Sequence, residues 1–220
     1  MELGVYSFGD VQRDPATGGL GSTAQAQRNL LEAIRLADEV GLDYFGIGEH
    51  HTHEMPASAA TVVLGAAASV TKNIILGSAV TVLSTDDPVR VYQQFATLDA
   101  LSNGRAEITA GRGSSTESFP LFGHSLNDYD ELYAEKLDLL MQINDADRIT
   151  WQGRFRPALD DLDPARGQFL AIIETILAGP RRPLDHLVAG TAAEESREQD
   201  DNPARPNPVG HEAERHGRLR

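Results

Sequence analysis

The sequence has no cysteine among its 220 residues. That excludes a disulfide framework, a thiolate nucleophile and a Cys-based zinc site, and it makes the cytoplasm the expected compartment. Basic residues are scarce: 19 Lys and Arg stand against 33 Asp and Glu, a net charge of −14. A surface of that sign repels a phosphate backbone, so nucleic acid is not expected as a partner. The acidity belongs to the first 188 residues, because Ala189 to Arg220 carries a net of only −2; its reading is solubility. No apolar run reaches the roughly 20 residues of a membrane span. Met1-Glu2-Leu3-Gly4 offers no basic flank before an apolar segment, so no secretory signal is expected either. With 40% hydrophobic and 24% charged residues, the chain is neither collagen-like nor wholly disordered.

What is present is an alternation of strands and helices. Glu2 to Phe8 reads as a strand, followed by a Gly- and Pro-marked loop to Gly21. Ser22 with Gln25 resembles a capping box. Behind it Ala26, Leu30, Ala33, Ile34, Ala37 and Val40 recur at helical spacing up to Gly41. Asp43 to Gly48 is a second strand, Ala57 to Thr71 an Ala-rich helix, and Ile74 to Leu83 a long third strand. Asp87-Pro88 starts a helix over Val89 to Leu101, stopped by Asn103-Gly104. Arg105 to Ala110 is a fourth strand. Asn127 or Asp128 caps a fourth helix, with Tyr129, Leu132, Tyr133, Leu137, Leu140 and Met141 as its apolar side.

Four consecutive strand–helix units predict an α/β fold with a parallel sheet and right-handed crossovers. Gly18-Gly19-Leu20-Gly21 lacks the spacing of a dinucleotide fingerprint, which favours barrel-type units over an open doubly wound sheet. A barrel takes about 250 residues, whereas here the irregular part starts soon after the fourth helix. Ile149 to Phe155 predicts a small hairpin turning at Gln152-Gly153, and Phe169 to Leu177 is a single apolar stretch, a helix or a buried strand, whose length slightly favours helix. One domain is expected over residues 1–188, clearest over 1–160, with 189–220 a Pro-interrupted disordered tail.

Three stretches are candidates for chemistry. Glu49-His50-His51-Thr52-His53-Glu54 follows the second strand, at the rim where barrel active sites lie. Its histidines invite a metal, but neighbours on an extended chain point to opposite sides, and zinc wants defined spacing and further ligands; no metal is assigned. Two readings stay open: a polar loop whose histidines bond carbonyls, or a histidine in acid–base work. Ala110-Gly111-Arg112-Gly113-Ser114-Ser115 follows the fourth strand, where glycines let a ligand approach and Arg112 can clamp a phosphate. Small residues in Gly77-Ser78-Ala79-Val80 fit either a tight core layer or a wall for a flat ring.

In that order, these segments resemble the bacterial luciferase-like flavin monooxygenases. Gly41-Leu42-Asp43-Tyr44-Phe45-Gly46-Ile47-Gly48-Glu49-His50-His51 looks like their second strand. Leu76-Gly77-Ser78-Ala79-Val80 through Asp87-Pro88-Val89-Arg90 is similar to their third strand and the next helix start. Leu98-Asp99-Ala100-Leu101-Ser102-Asn103-Gly104-Arg105 and Gly111-Arg112-Gly113 match the fourth. Asp128-Tyr129-Asp130-Glu131-Leu132-Tyr133 with Glu135-Lys136 matches the helix after it.

The resemblance implies a (β/α)8 TIM barrel, here with four clear units and an irregular C-terminal part. It implies a monooxygenase that uses O2 and reduced FMN, or a deazaflavin in some branches, on a small organic substrate. A separate flavin reductase would supply the reduced FMN. By position, His50 would be the catalytic histidine assisting proton transfer. Arg112 would pair with the flavin phosphate, and the backbone of Ala79 and Val80 would lie against the isoalloxazine ring. Gly111 stands where the family has a reactive cysteine, so any role of that thiol is absent. The family's fifth to eighth strands should follow Trp151 to Pro157, and residues 165–220 do not look like them. The alternative is therefore a shortened, non-catalytic flavin-binding protein or a decayed fragment. A homodimer through the second and third helices is also expected.

Overall fold

In the computed structural model, which describes residues 1–164, strands and helices alternate. The strands are β1 (Gly4–Ser7), β2 (Tyr44–Ile47), β3 (Ile75–Ser78), β4 (Thr81–Val82), β5 (Ala106–Glu107), β6 (Ala110–Gly111), β7 (Ile149–Trp151) and β8 (Leu159–Leu162). The helices are α1 (Thr23–Glu39), α2 (Ala60–Ala68), α3 (Pro88–Ser102), α4 (Ser118–Leu121) and α5 (Tyr129–Asp145). β1, β2, β3 and β5 form one parallel sheet in that order, and β4 pairs with β6 in parallel beyond it. Among the described residues no helix is long and apolar enough to cross a membrane. The predicted apolar element 169–177 and tail 189–220 lie outside the described residues.

Local signals explain the helices. The Ser22 hydroxyl accepts from the Gln25 N–H, and Ala26, Leu30, Ile34 and Ala37 form the buried stripe of α1. The Asp87 carboxylate accepts from the Val89 and Arg90 N–H groups, Pro88 opens α3, and Asn103 closes it in the left-handed region at φ 59°. The helices cover one face of the sheet. Phe45, Ile47 and Leu76 are buried there against Leu30, Ile34, Leu64 and Phe95. The opposite face carries the alternate residues and is open: Tyr6 is 70% and Phe8 43% exposed.

Four expectations are corrected. Ile74 to Leu83 is not one strand. Gly77 pairs with Glu107 and Thr81 with Ala110, so the β3–β4 side has one residue more than its partner, a bulge at Ala79–Val80. The Ser78 hydroxyl fills the gap in the ladder: it donates to the Thr109 carbonyl (3.1 Å) and accepts the Thr109 N–H (3.0 Å). The fourth strand splits at the same level into β5 and β6. Second, α2 is shorter than predicted, with no side-chain cap at Ala59. Third, the hairpin does not turn at Gln152-Gly153. Ile149 faces Leu162 and Trp151 faces Leu159, because the Glu135 carboxylate holds the Arg154 and Phe155 N–H groups (2.7 and 2.9 Å) in a wider loop. Fourth, the buried stripe of α5 is Leu132, Lys136, Leu139, Leu140 and Ile143, while Met141 is exposed. Lys136 is tolerated because its ammonium donates to the Ser84 carbonyl (2.7 Å). Burial pushes that amine down to about 8, against the nearby Asp86, Asp87 and Glu135 charges.

Candidate active site

The period of two in β2 continues past its end and sorts the cluster 49–51 onto two faces. Tyr44, Gly46, Gly48 and His50 belong to the open face, and Phe45, Ile47, Glu49 and His51 to the helix face. The Gly48 N–H bonds the Ser7 carbonyl (3.0 Å), which carries the β1–β2 ladder to the rim. A Cβ on Gly48 would fall 2.3 Å from the Phe8 ring and 3.0 Å from the Ala79 carbonyl, so the two strand ends meet there. The His50 ring meets Phe8 edge-on at 4.8 Å and 84°. Its Nδ1 lies 3.2 Å from Oε1 of Glu117.

His51 faces the other way. Its Nε2 is 2.8 Å from Oε1 of Glu49, and its ring packs edge-on to Phe122 at 5.1 Å. Glu49 in turn accepts the Val82 N–H at Oε2 (3.0 Å), and its own N–H donates to the Val80 carbonyl (3.3 Å). The Glu49–His51 pair thus braces the bulge from the helix side. On that side a cavity of about 180 Å³ is bordered by Glu49, His51, Thr81, Asp86, Gln94 and Phe122. Burial raises the Asp86 carboxyl above its usual range, opposed by the Asp87 N–H and Lys136.

Ala79 and Val80 sit at the bulge, joined by a cis peptide bond. The Val80 side chain lies on Gly111, where a Cβ would be 2.3 Å from its Cγ2. His50, Ala79, Val80 and Gly111 are therefore gathered at one mouth, at the C-terminal ends of the parallel strands. Arg112 follows on the same rim but is turned toward α5. Its guanidinium bonds Asp130 (2.9 Å), lies over the Tyr133 ring at 5.4 Å, and is half-exposed. The Tyr129 and Tyr133 hydroxyls hold the Gly113 and Ala110 carbonyls (2.8 and 3.3 Å), fixing the loop that carries Arg112. His53 and Glu54 are exposed. Among the described residues no three metal-ligating side chains converge.

Two carboxylates escaped the residue-level reading. Glu49 was visible within the cluster but had no assigned partner. Glu117 is 67 residues from His50, and no spacing signal connects them. Burial alone would raise the Glu117 carboxyl. Hydrogen bonds from the Ser115 hydroxyl, its own backbone N–H, His50 and the His51 N–H outweigh that and hold it at about 2.

A family model described as luciferase-like monooxygenase matches residues 1–179. The chain belongs to this family. The alkanal monooxygenase alpha chain of Photorhabdus laumondii is 33% identical over 111 residues, 48% of this chain and 30% of that protein. The F420-dependent glucose-6-phosphate dehydrogenase of Beutenbergia cavernae is 35% identical over 144 residues, 61% of this chain and 42% of that one. The chain thus matches less than half the length of these relatives.

Among solved structures, the FMN complex of the oxygenating constituent of 3,6-diketocamphane monooxygenase from Pseudomonas putida gives a TM-score of 0.64. Its identity is 19%, covering 73% of this chain and 44% of that one. An F420-dependent secondary alcohol dehydrogenase gives 0.59 at 22%, covering 74% and 47%. At these identities the likeness concerns the fold. The luciferase-like chain is an α/β protein of the TIM-barrel type, and its described residues supply four parallel βα units of that barrel. The family includes flavin- and F420-dependent oxidoreductases.

Proposed function

We propose that this luciferase-like protein is a flavin-dependent monooxygenase that takes reduced FMN from a partner reductase and oxygenates a small organic substrate with O2. The observation that carries the reading is the convergence of His50, Ala79 and Val80 on one open face at the strand ends. The residues present fit a flavin. Phe8 and Tyr6 offer exposed rings beside the small Ala79–Val80 segment, a surface suited to a flat aromatic system. Arg112 and the exposed Ser114 stand on the rim with donors suited to a phosphate. For that role Arg112 exchanges Asp130 for the ligand. When bound, reduced flavin supplies the electrons that O2 chemistry needs. The chain contributes the wall for the ring, the clamp for the phosphate, and His50 as the group that moves a proton at that face.

The test is FMN titration by fluorescence quenching, followed by oxygen consumption with NADH and a flavin reductase. Turnover above the free-flavin background is expected, and His50→Ala should lower it by about 10²-fold or more with FMN binding little changed. FMN binding without turnover would replace the reading by a non-catalytic flavin-binding module. Tighter binding of F420 than of FMN would favour a deazaflavin, as in the F420-dependent relatives.

A homodimer through α2 and α3 completes the proposal. Val62 on α2 is 71% and Leu101 on α3 65% exposed, apolar surface that a second copy would cover. Light scattering should give twice the monomer mass, with an interface of at least about 1,000 Å²; a clean monomer at micromolar concentration refutes it.

A further inference from the structure

We propose that Glu117 is the positioning residue for His50: its carboxylate accepts the Nδ1 proton of the ring and leaves Nε2 bare toward the open face. The inference rests on the reading of His50 as the proton carrier and specifies which ring atom does the work.

Glu117 Oε1 is the meeting point of the His50 Nδ1 (3.2 Å) and the His51 N–H (3.5 Å), and the Ser115 hydroxyl also bonds this side chain. Held at about 2, the carboxylate is ionised at any working pH and can only accept. A hydrogen bond at Nδ1 therefore requires the proton to sit on Nδ1, which fixes the tautomer of the neutral ring. Among the described residues no other side chain or carbonyl bonds the His50 imidazole, so Nε2 is the nitrogen left for a ligand.

The carboxylate is also rigidly placed. Glu117 immediately precedes α4, a single turn pinned by Phe119, which is fully buried and stacked on Tyr129 at 5.4 Å and 24°. The His50 and Glu117 side chains are only 12% and 26% exposed, which limits exchange of the contact with water. The neighbouring histidine shows the contrast. His51 is tied at Nε2, not Nδ1, and its carboxylate, Glu49, is committed to the Val82 backbone. One pair braces the fold and the other aims a free nitrogen at the open face.

Nitrogen-15 imidazole spectra of the flavin-free protein test this, with His50→Gln identifying the signal. The wild type should show Nδ1 protonated and Nε2 bare in the neutral ring. Glu117→Ala should shift the ring to the Nε2–H form. Glu117→Gln should keep the wild-type tautomer, because the donors from His51 and Ser115 hold its amide oxygen in the same place. In turnover, Glu117→Ala should lower kcat by about 10- to 100-fold with KM little changed, and Glu117→Gln should recover much of it. An Nε2–H ring in the wild type, or an unchanged tautomer in Glu117→Ala, overturns the proposal. The expected spectra without any oxygenase turnover would instead overturn the reaction assigned above and leave the role of Glu117 in setting the tautomer standing.

Discussion

Gly111 and Val80 form a complementary pair, and replacing Gly111 by Ala tests it. The new Cβ would lie 2.3 Å from Cγ2, 2.9 Å from Cβ and 3.2 Å from Cγ1 of Val80. Ordinary carbon contacts need about 3.5–4.0 Å, so more than about 1 Å must be opened. Val80 has little freedom to give way. It is β-branched and stiff at χ1, its carbonyl accepts from Glu49, and the next N–H, of Thr81, is bound to Thr109 at 2.9 Å. Gly111 is held as well, since its carbonyl accepts the Leu83 N–H at 3.0 Å. Overpacking of this kind costs about 1–3 kcal/mol. Val80→Ala alone removes two half-buried methyl groups, worth about 1 kcal/mol. In the double variant the contacts to Cγ2 and Cγ1 disappear and only the 2.9 Å contact to the Cβ of residue 80 remains, so most of the overlap is relieved. The pair should then be less destabilised than the sum of the singles by about 1–2 kcal/mol, within the range for residues in contact. Urea unfolding followed by the fluorescence of Trp151, the one tryptophan in the chain, measures all four proteins. Additivity within about 0.5 kcal/mol would show that Val80 does not rest on Gly111.

Two further outcomes are expected. Arg112→Ala should weaken FMN binding roughly 10- to 100-fold, as for a lost charge-assisted contact to phosphate, and riboflavin binding far less; equal losses in a titration of both ligands would assign Arg112 to the fold. Asp38 accepts the N–H groups of Lys72, Asn73 and Ile74, each at 2.8 Å. Asp38→Ala should therefore cost about 2–3 kcal/mol in urea unfolding. Burial opposes ionisation of this carboxyl, but the three N–H groups and the Arg105 charge hold it below its usual 3.8. Its contribution is thus complete above pH 3.8 and fades as the pH falls through the lower folded value. A wild-type minus Asp38→Asn stability difference that stays flat across that acid window would refute the assignment.

The helices were legible where their signals are local. Ser22 with Gln25, Asp87 with Pro88, and Asn103-Gly104 announce the ends of α1 and α3 within a few residues, and the structure places them there. Features made by distant partners were not. Ile74 to Leu83 contains no Pro or Asn to mark a break; the interruption is made by Ser78 and Thr109, 31 residues apart. The wide loop after β7 depends on Glu135, and α4 on the stacking of Phe119 on Tyr129. The site divides in the same way. His50 stood out as part of a cluster, while Glu117 and the Asp130 partner of Arg112 belong to other segments that only folding brings near.

The two-sided sorting of residues 44 to 51 constrains how this stretch can change over evolutionary time. Positions 44, 46, 48 and 50 address the open face and positions 45, 47, 49 and 51 the helix face, so a point substitution is felt on one side; at Gly46 and Gly48 that side has no room for a side chain, because a Cβ would fall within 3 Å of Tyr6, Phe8 or Ala79. A change of length is not confined in this way. Deleting Gly48 would exchange the two sides downstream, offering His51 to the open face and driving His50 toward the helices and away from Glu117. A replacement in this segment is therefore felt on one side, whereas a single-residue insertion or deletion is felt on both, an asymmetry that a scan of both kinds of variant would expose.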